Sequence, residues 1–366
     1  MKNHKPRTYV IAEAGVNHNG SADIAYKLID AAVNAGADAV KFQTFKTDKL
    51  LTKDAKKANY QIQSTGEIES AYQMLKKLEL KQSTFVSLAK YAKKLKIDFL
   101  STAFDEESLS FLVNTLKLKV LKIPSGELTN APLVLAHART KLPIILSTGM
   151  ATLDEIRSAL EVIAYGYIEK SADIDPSNEN FTSAFQSKKA MSLLCKKVTI
   201  LHCTTEYPAP VEEINLSAIK TIEEAFGLSI GYSDHTKGMQ APIIAVALGA
   251  KIIEKHFTLD VNMKGPDHKA SLEPKELKKM IELVRNTEKS MGNGIKKPTV
   301  SEIKNRDIAR KSICAEIDIK KGEIFTKENI SIKRPGSGLE PRLYWDYIGK
   351  RSSRNYKKDD LIKYEK

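Results

Sequence analysis

The sequence predicts an α/β fold, a (β/α)8 barrel followed by a small C-terminal domain, on three observations. Eight short apolar or β-branched runs alternate with helix-length amphipathic segments, the order of a parallel barrel. Polar residues gather at the ends of nearly all eight runs, where barrel enzymes collect their working groups. The length, 366 residues, fits a barrel of roughly 250 residues plus an appendage.

In chain order the runs are TYVIAEAG (8–15), ADAVKFQTF (37–45), IDFLSTAF (97–104), VLKIPSG (120–126), PIILSTG (143–149), VTILHC (198–203), LSIGYSDH (228–235) and KIIEKHFT (251–258). No G-x-G-x-x-G turn follows the first run, which argues against an open doubly wound sheet. The stretch 166–197, polar in its first half, reads as a helix-to-strand excursion on the rim. A helix over 274–291 closes a barrel of residues 1–290, and 291–304, with its glycines, proline and charges, reads as a linker. Short strand-like pieces in 305–366 (SICAEIDI, KKGEIFT, ENISIKRPG, LIKYEK) predict a separate small domain.

With 42% hydrophobic and 28% charged residues the chain has material for a large core and no signature of disorder. No apolar run approaches the ~20 residues of a bilayer span, so a cytoplasmic protein without a membrane partner is expected. Cys195, Cys203 and Cys314 form no C-x-x-C pair and read as structural thiols in a reducing compartment. Lys and Arg exceed Asp and Glu by 58 − 45 = 13. The lysines are scattered along helical stretches without stacking aromatics, so a solvated surface is expected rather than a nucleic-acid site.

The strand ends carry Glu13 with Asn17 and His18, Lys41 with Gln43, Asp105, Lys122 with Ser125 and Glu127, Ser147, Thr205 with Tyr207, Ser233 with His235, and His256. His235 and His256 end consecutive strands and can converge on one divalent ion with positions left open for substrate; each is otherwise a hydrogen-bonded rim residue. Lys41 and Lys122 sit in apolar surroundings where an unpaired ammonium is costly. An anionic ligand held also by Ser125 and Ser147, an internal carboxylate, or the amine of a Schiff-base aldolase each fits. Glu13 and Glu127 are candidates for proton transfer or for gripping hydroxyls. Asp267, in Gly265-Pro266-Asp267-His268, reaches over the barrel mouth or is an ordinary turn aspartate. Arg334, beside Pro335 and Gly336, is either a surface charge or part of a loop that reaches a ligand.

In this order, EAGVNHNGS, VKFQTF, KIPSGE, ILSTGM, LHCTTEYPAP, GYSDHT, IEKHFTLD, GPDHKASL and a C-terminal KRPG resemble the sialic acid synthase family over nearly the whole chain. The resemblance implies a TIM barrel joined to an antifreeze-like (SAF) domain in a domain-swapped homodimer. It implies condensation of phosphoenolpyruvate with an N-acetylated amino sugar, with loss of phosphate by carbon–oxygen cleavage. By the same likeness His235 and His256 hold a divalent metal, manganese before magnesium or cobalt. Lys41, Lys122, Ser125, Ser147 and Ser233 bind phosphoenolpyruvate; Gln43, Tyr207 and Asp267 face the sugar, with Glu13 beside them; Glu127 serves near the reacting centre. Arg334 would reach the partner's site and touch an N-acetyl group.

Phe42 and Phe45 in KFQTF, with Thr205, depart from the KHQTH and asparagine pattern of N-acetylneuraminate synthases. They resemble the legionaminate synthases, whose substrate is 2,4-diacetamido-2,4,6-trideoxy-mannose and whose product is N,N'-diacetyllegionaminate. Synthesis of N-acetylneuraminate from N-acetylmannosamine is the alternative, with a Schiff-base aldolase or a carbohydrate- or ice-binding protein as rivals of other classes. Both phenylalanines are expected to pack in one layer opposite Lys41 and Gln43.

Overall fold

A computed structural model of the chain describes residues 7–66, 68–169 and 176–364. Eight parallel strands close into a barrel in sequence order: β1 (Tyr9–Gly15), β2 (Ala39–Thr44), β3 (Asp98–Ala103), β4 (Leu121–Ile123), β5 (Ile144–Ser147), β6 (Val198–Cys203), β7 (Ser229–Asp234) and β8 (Ile252–His256), with β1 paired to β8. All eight predicted runs contain their strand.

The period of two that governs a strand sorts every one of them. Outward residues such as Val10, Val40, Phe42, Leu146, Ile200 and Ile253 pack against the helical layer in the main core. Inward residues Ile11, Ala39, Leu100, Ile145 and Leu201, with Tyr9, Val120 and Ile252, plug the lower barrel. Two residues further along each strand the inward position turns polar in most cases: Glu13, Lys41, Thr102, Lys122, Ser147, Cys203, Ser233 and Glu254. The barrel is thus dry below and functional above. Gly231 holds β7's place in the plug because a Cβ there would come within 2.5 Å of Leu201 and 2.6 Å of the Ile252 carbonyl.

The helices follow local signals. Leu153–Ile168 starts from a capping box between Thr152 and Glu155, and Pro274–Met291 buries Leu277, Met280, Ile281 and Val284 at helical spacing. The excursion expected over 166–197 lies partly outside the described residues. Its described part is helical: Asn178–Gln186 and Lys188–Lys197 bury Ala184, Ala190 and Leu194. These helices join the outer layer and feed the start of β6, the end of the barrel away from the mouth, so the rim placement is corrected.

The chain divides into two compact units after Gly292. The stretch expected to be a linker, 291–304, contains the start of a helix, Val300–Ala309, capped by Thr299 and Glu302 and without buried residues; Thr299-Val300-Ser301-Glu302 is itself a capping box. In the second unit, β9 (Ser312–Ala315) and β10 (Ile330–Lys333) pair antiparallel. Ile313, Ile319, Phe325, Ile330, Leu339, Tyr347, Tyr356 and Ile362 form its own core.

Candidate active site

A cavity of about 240 Å³ opens at the carboxyl ends of the barrel strands, the face that carries function in this architecture. Of the barrel residues given a catalytic, substrate or metal role, all but Glu127 line it, whereas Asn17, His18 and Asp105 do not.

Four buried ionic groups form the floor. Lys41 Nζ lies 2.8 Å from Glu13 and 3.5 Å from Glu254, and Lys122 Nζ lies 2.9 Å from Glu254. Glu254 also accepts a hydrogen bond from Ser233 Oγ at 2.9 Å, and Lys41 donates to Thr102 Oγ1 at 3.1 Å. Internal carboxylates therefore do partner the lysines: Glu13, and Glu254, which the sequence reading does not single out. Burial would raise Glu254, yet Lys122 and Lys41 outweigh it and hold the carboxyl below the usual range. Glu13 goes the other way: burial lifts it to about 7 against the pull of Lys41. A buried carboxyl near neutrality beside a substrate-sized cavity is the signature of a group that can move a proton. Burial also lowers Lys122, while Lys41 is raised because Glu13 and Glu254 overcome its burial. Both ammonium groups are engaged in ion pairs, which opposes a free-amine nucleophile.

The two histidines face each other with ring centroids 5.4 Å apart. His235 Nδ1 donates to the Thr204 carbonyl at 2.5 Å, which leaves Nε2 as a lone pair, 3.5 Å from Ser233 Oγ. His256 Nδ1 is buried without a hydrogen-bond partner. Burial lowers His235 to about 4 and holds His256 well below the usual imidazole range, so both are neutral imidazoles. Neutral, desolvated nitrogens aimed into a polar cavity fit a divalent cation. Among the described residues no group of three or more His, Cys, Asp or Glu forms a complete cage, so these two nitrogens would leave most coordination positions to water and substrate. Asp267 stands 3.8 Å from His256, and burial raises its carboxyl to about 7; with the imidazole neutral this is a polar contact rather than an ion pair.

Behind the histidines, on the outer face of the same strands, Lys255 donates to Asp234 Oδ2 at 2.6 Å and to the Thr236 carbonyl at 2.5 Å, with both side chains of the ion pair fully buried. Because Asp234 and Lys255 adjoin His235 and His256, this pair ties β7 to β8 at the point where the imidazoles project.

Ser125 Oγ accepts from the Gly149 N–H at 2.9 Å and lies 3.2 Å from Cys203 Sγ, while the Ser147 and Thr205 hydroxyls are buried without partners. A Cβ on Gly149 would fall 2.1 Å from Thr205 Oγ1, so glycine is required for these hydroxyls to converge. Cys203, expected to be merely structural, lines the cavity; Cys314 is buried in the second unit and Cys195 is exposed.

Three further results correct the sequence reading. After β4 the chain turns through a 3-10 helix, Ser125–Glu127, which leaves Glu127 outside the cavity, accepting from Asn130 Nδ2 at 2.7 Å. Asp105 caps the helix Glu106–Ser110 and Asn17 donates to the Phe257 carbonyl and Ser271, so both serve structure. Phe42 and Phe45 do not share a layer: Phe42 stacks on Phe99 in the outer core, whereas Phe45, of the same parity as Lys41 and Gln43, lines the cavity. Arg334 is exposed in the second unit, at a cis Arg334–Pro335 bond. Tyr60 and Gln61 also line the cavity, and no periodic signal announced them. Tyr60 packs on Tyr207 at 5.0 Å, and Tyr207 on His235 at 4.1 Å.

Such a barrel, with ionic groups, hydroxyls and two neutral imidazoles converging at the strand ends, is an enzyme's scaffold and site. Residues 28–296 match the NeuB family and residues 310–366 match the SAF domain. The chain is 49% identical to the N,N'-diacetyllegionaminic acid synthase of Campylobacter jejuni, over 98% of this chain and 99% of that one. It is 42% identical to the enzyme of the same name from Legionella pneumophila, over 95% and 91%. A crystal structure of N-acetylneuraminic acid (sialic acid) synthetase from Leptospira borgpetersenii superposes with a TM-score of 0.65 at 34% identity, covering 83% of this chain and 93% of that one. The chain belongs to the NeuB family and carries a SAF domain.

Proposed function

We propose that the protein condenses phosphoenolpyruvate with 2,4-diacetamido-2,4,6-trideoxy-mannose to give N,N'-diacetyllegionaminate and phosphate. The observation that carries the reading is the pairing of near full-length likeness to two N,N'-diacetyllegionaminic acid synthases with a cavity floored by two buried lysines. With Glu13 lifted to about 7 by burial, the floor is at least partly short of negative charge at neutral pH, and an anionic substrate completes it.

On this reading the enol carbon of phosphoenolpyruvate attacks the aldehyde carbon of the open-chain sugar. Water then adds at the carbon bearing the phosphate ester, and the carbon–oxygen bond to phosphate breaks. Lys41, Lys122 and Ser233 hold the carboxylate end, and Ser125, Ser147 and the hydroxyl cluster around Gly149 hold the phosphate. Glu13, joined to Gln43 at 3.4 Å, moves the proton between water and the new hydroxyl, and Tyr207 and Asp267 orient the sugar. His235 and His256 would hold a divalent ion, manganese by family resemblance, which would supply Lewis-acid polarisation of the aldehyde. Family resemblance also supports a homodimer in which Arg334 serves the partner's sugar; Arg334→Ala should then raise the KM for sugar and leave that for phosphoenolpyruvate unchanged.

The test is phosphate release from phosphoenolpyruvate with manganese, with the trideoxy sugar and N-acetylmannosamine offered in parallel. Preference for the trideoxy sugar supports the proposal. Preference for N-acetylmannosamine replaces it with N-acetylneuraminate synthesis, and release with neither removes the condensation reading.

A further inference from the structure

The charged floor and hydroxyls do not account for the whole cavity. Val16, Phe45, Leu50, Leu75 and Phe104 also line it, without a hydrogen-bonding side-chain atom among them. These five, with Leu78, form an apolar cluster separate from both the main core and the barrel plug. They come from one sector: just after β1, just after β2, just after β3, and the helices Thr47–Leu50 and Ala71–Leu78 that follow β2. Phe45 and Phe104 meet edge to face at 6.2 Å.

A cluster that served only to dock the β2 excursion onto the barrel would hide its surface from the cavity, as Leu78 does. Instead Leu50, Leu75 and Phe104 stay half-buried and five of the six members line the site. An apolar surface in a site otherwise made of ions and hydroxyls has a use only if the ligand has an apolar edge to lay on it.

We infer that this wall is a specificity subsite that takes a deoxygenated, methyl-bearing edge of the acceptor sugar and rejects the same edge bearing a hydroxyl; the inference rests on the condensation reading above. A hydroxyl laid on the wall loses its water and finds no partner among these five side chains, none of which has a hydrogen-bonding atom. A methyl carbon loses nothing and gains contact with two aromatic rings. Hydrophobic pockets discriminate against an added hydroxyl by about 100-fold in kcat/KM.

The experiment compares 2,4-diacetamido-2,4,6-trideoxy-mannose with its 6-hydroxy counterpart by phosphate release, using the full chain with manganese and saturating phosphoenolpyruvate. The wild-type protein should favour the deoxy sugar by about 100-fold, and Phe45→His and Leu75→Gln should each cut that ratio to about 10-fold or less, mainly by improving use of the hydroxylated sugar. Leu75 sits on a half-exposed helix face, so its variant tests the wall even if Phe45→His folds poorly. The KM for phosphoenolpyruvate should stay put in both. Equal use of the two sugars by the wild-type protein, or an unchanged ratio in variants that melt like it, would overturn the inference and leave the condensation reading intact. No release with either sugar would instead overturn that reading, and the subsite with it.

Discussion

Glu254→Gln is the perturbation that the floor geometry predicts most directly. Glu254 is the carboxylate that faces Lys122, at 2.9 Å, and the second one near Lys41, at 3.5 Å, with all three side chains buried. Glutamine keeps the shape and an acceptor for Ser233 but removes the charge, so two buried ammonium groups are left with Glu13 as their nearest carboxylate. Removing one partner of a buried ion pair costs about 3–5 kcal/mol, and the retained amide favours the lower end. At about 2–4 °C per kcal/mol, the barrel's melting transition should fall by roughly 6–12 °C in calorimetry at neutral pH. Inorganic phosphate or phosphoenolpyruvate should recover more of the variant's stability than of the wild type's, because an anion replaces the missing charge. The pH dependence has a fixed sign. The carboxyl is held below the usual carboxylate range, so its stabilisation is complete above about pH 4.3 and is lost as pH falls through the lower folded value; the gap between wild type and variant should close in acid. A transition within about 1 °C of wild type at neutral pH, with no differential response to phosphate, would refute the reasoning.

Three further outcomes are expected. His235→Ala and His256→Ala should each reduce phosphate release to background, as should a chelator on the wild-type protein, with the circular dichroism spectrum unchanged; normal rates in either variant would reject a shared metal site. Burial raises Asp267 from 3.8 to about 7, so the folded protein holds a proton that the unfolded chain releases, and stability falls as pH rises from about 4 through about 7. Asp267→Asn should remove that loss, on the order of 4 kcal/mol, when metal-free protein is unfolded by urea across this window; parallel wild-type and variant curves would count against it. Asp234→Asn should leave the fully buried Lys255 uncompensated and cost about 3–5 kcal/mol in the same assay, and Lys255→Met on that background should restore part of it; an additive double mutant would show that the two side chains are not coupled.

The barrel was legible because each strand is a short apolar run and each run ends in polar residues. The site was legible wherever the period of two applied. Glu13, Lys41, Lys122, Ser147 and His256 all follow an interior apolar residue by two or four positions, Ser233 follows the interior Gly231 by two, and the structure gathers all six into one cavity. The same rule, pressed further, reaches what the reading missed. Glu254 stands two residues before His256 and must share its face; Phe45 stands two after Gln43 and so could not join Phe42. Glu127 was misplaced for the converse reason: β4 ends at Ile123, and a parity count cannot be carried through the 3-10 turn that follows.

What periodicity cannot reach is whatever approaches the mouth from outside the strands. Tyr60 and Gln61 belong to a short helix, Asn59–Thr65, with no buried residue of its own, so no amphipathic stripe marks it. Leu50 and Leu75 look in sequence like ordinary helix-packing residues, and only the closed fold brings them beside Phe45 and Phe104 at the edge of a charged cavity. The floor, built on strands, holds groups suited to any substrate with a carboxylate and a phosphate. The wall, built on loops and short helices, is where two such enzymes can differ without disturbing the barrel. Changes of acceptor sugar should therefore fall at positions such as 45, 50, 75 and 104 while Lys41, Lys122 and Glu254 stay fixed, because exchanging a wall residue alters one contact with the sugar, whereas exchanging a floor residue strands a buried charge.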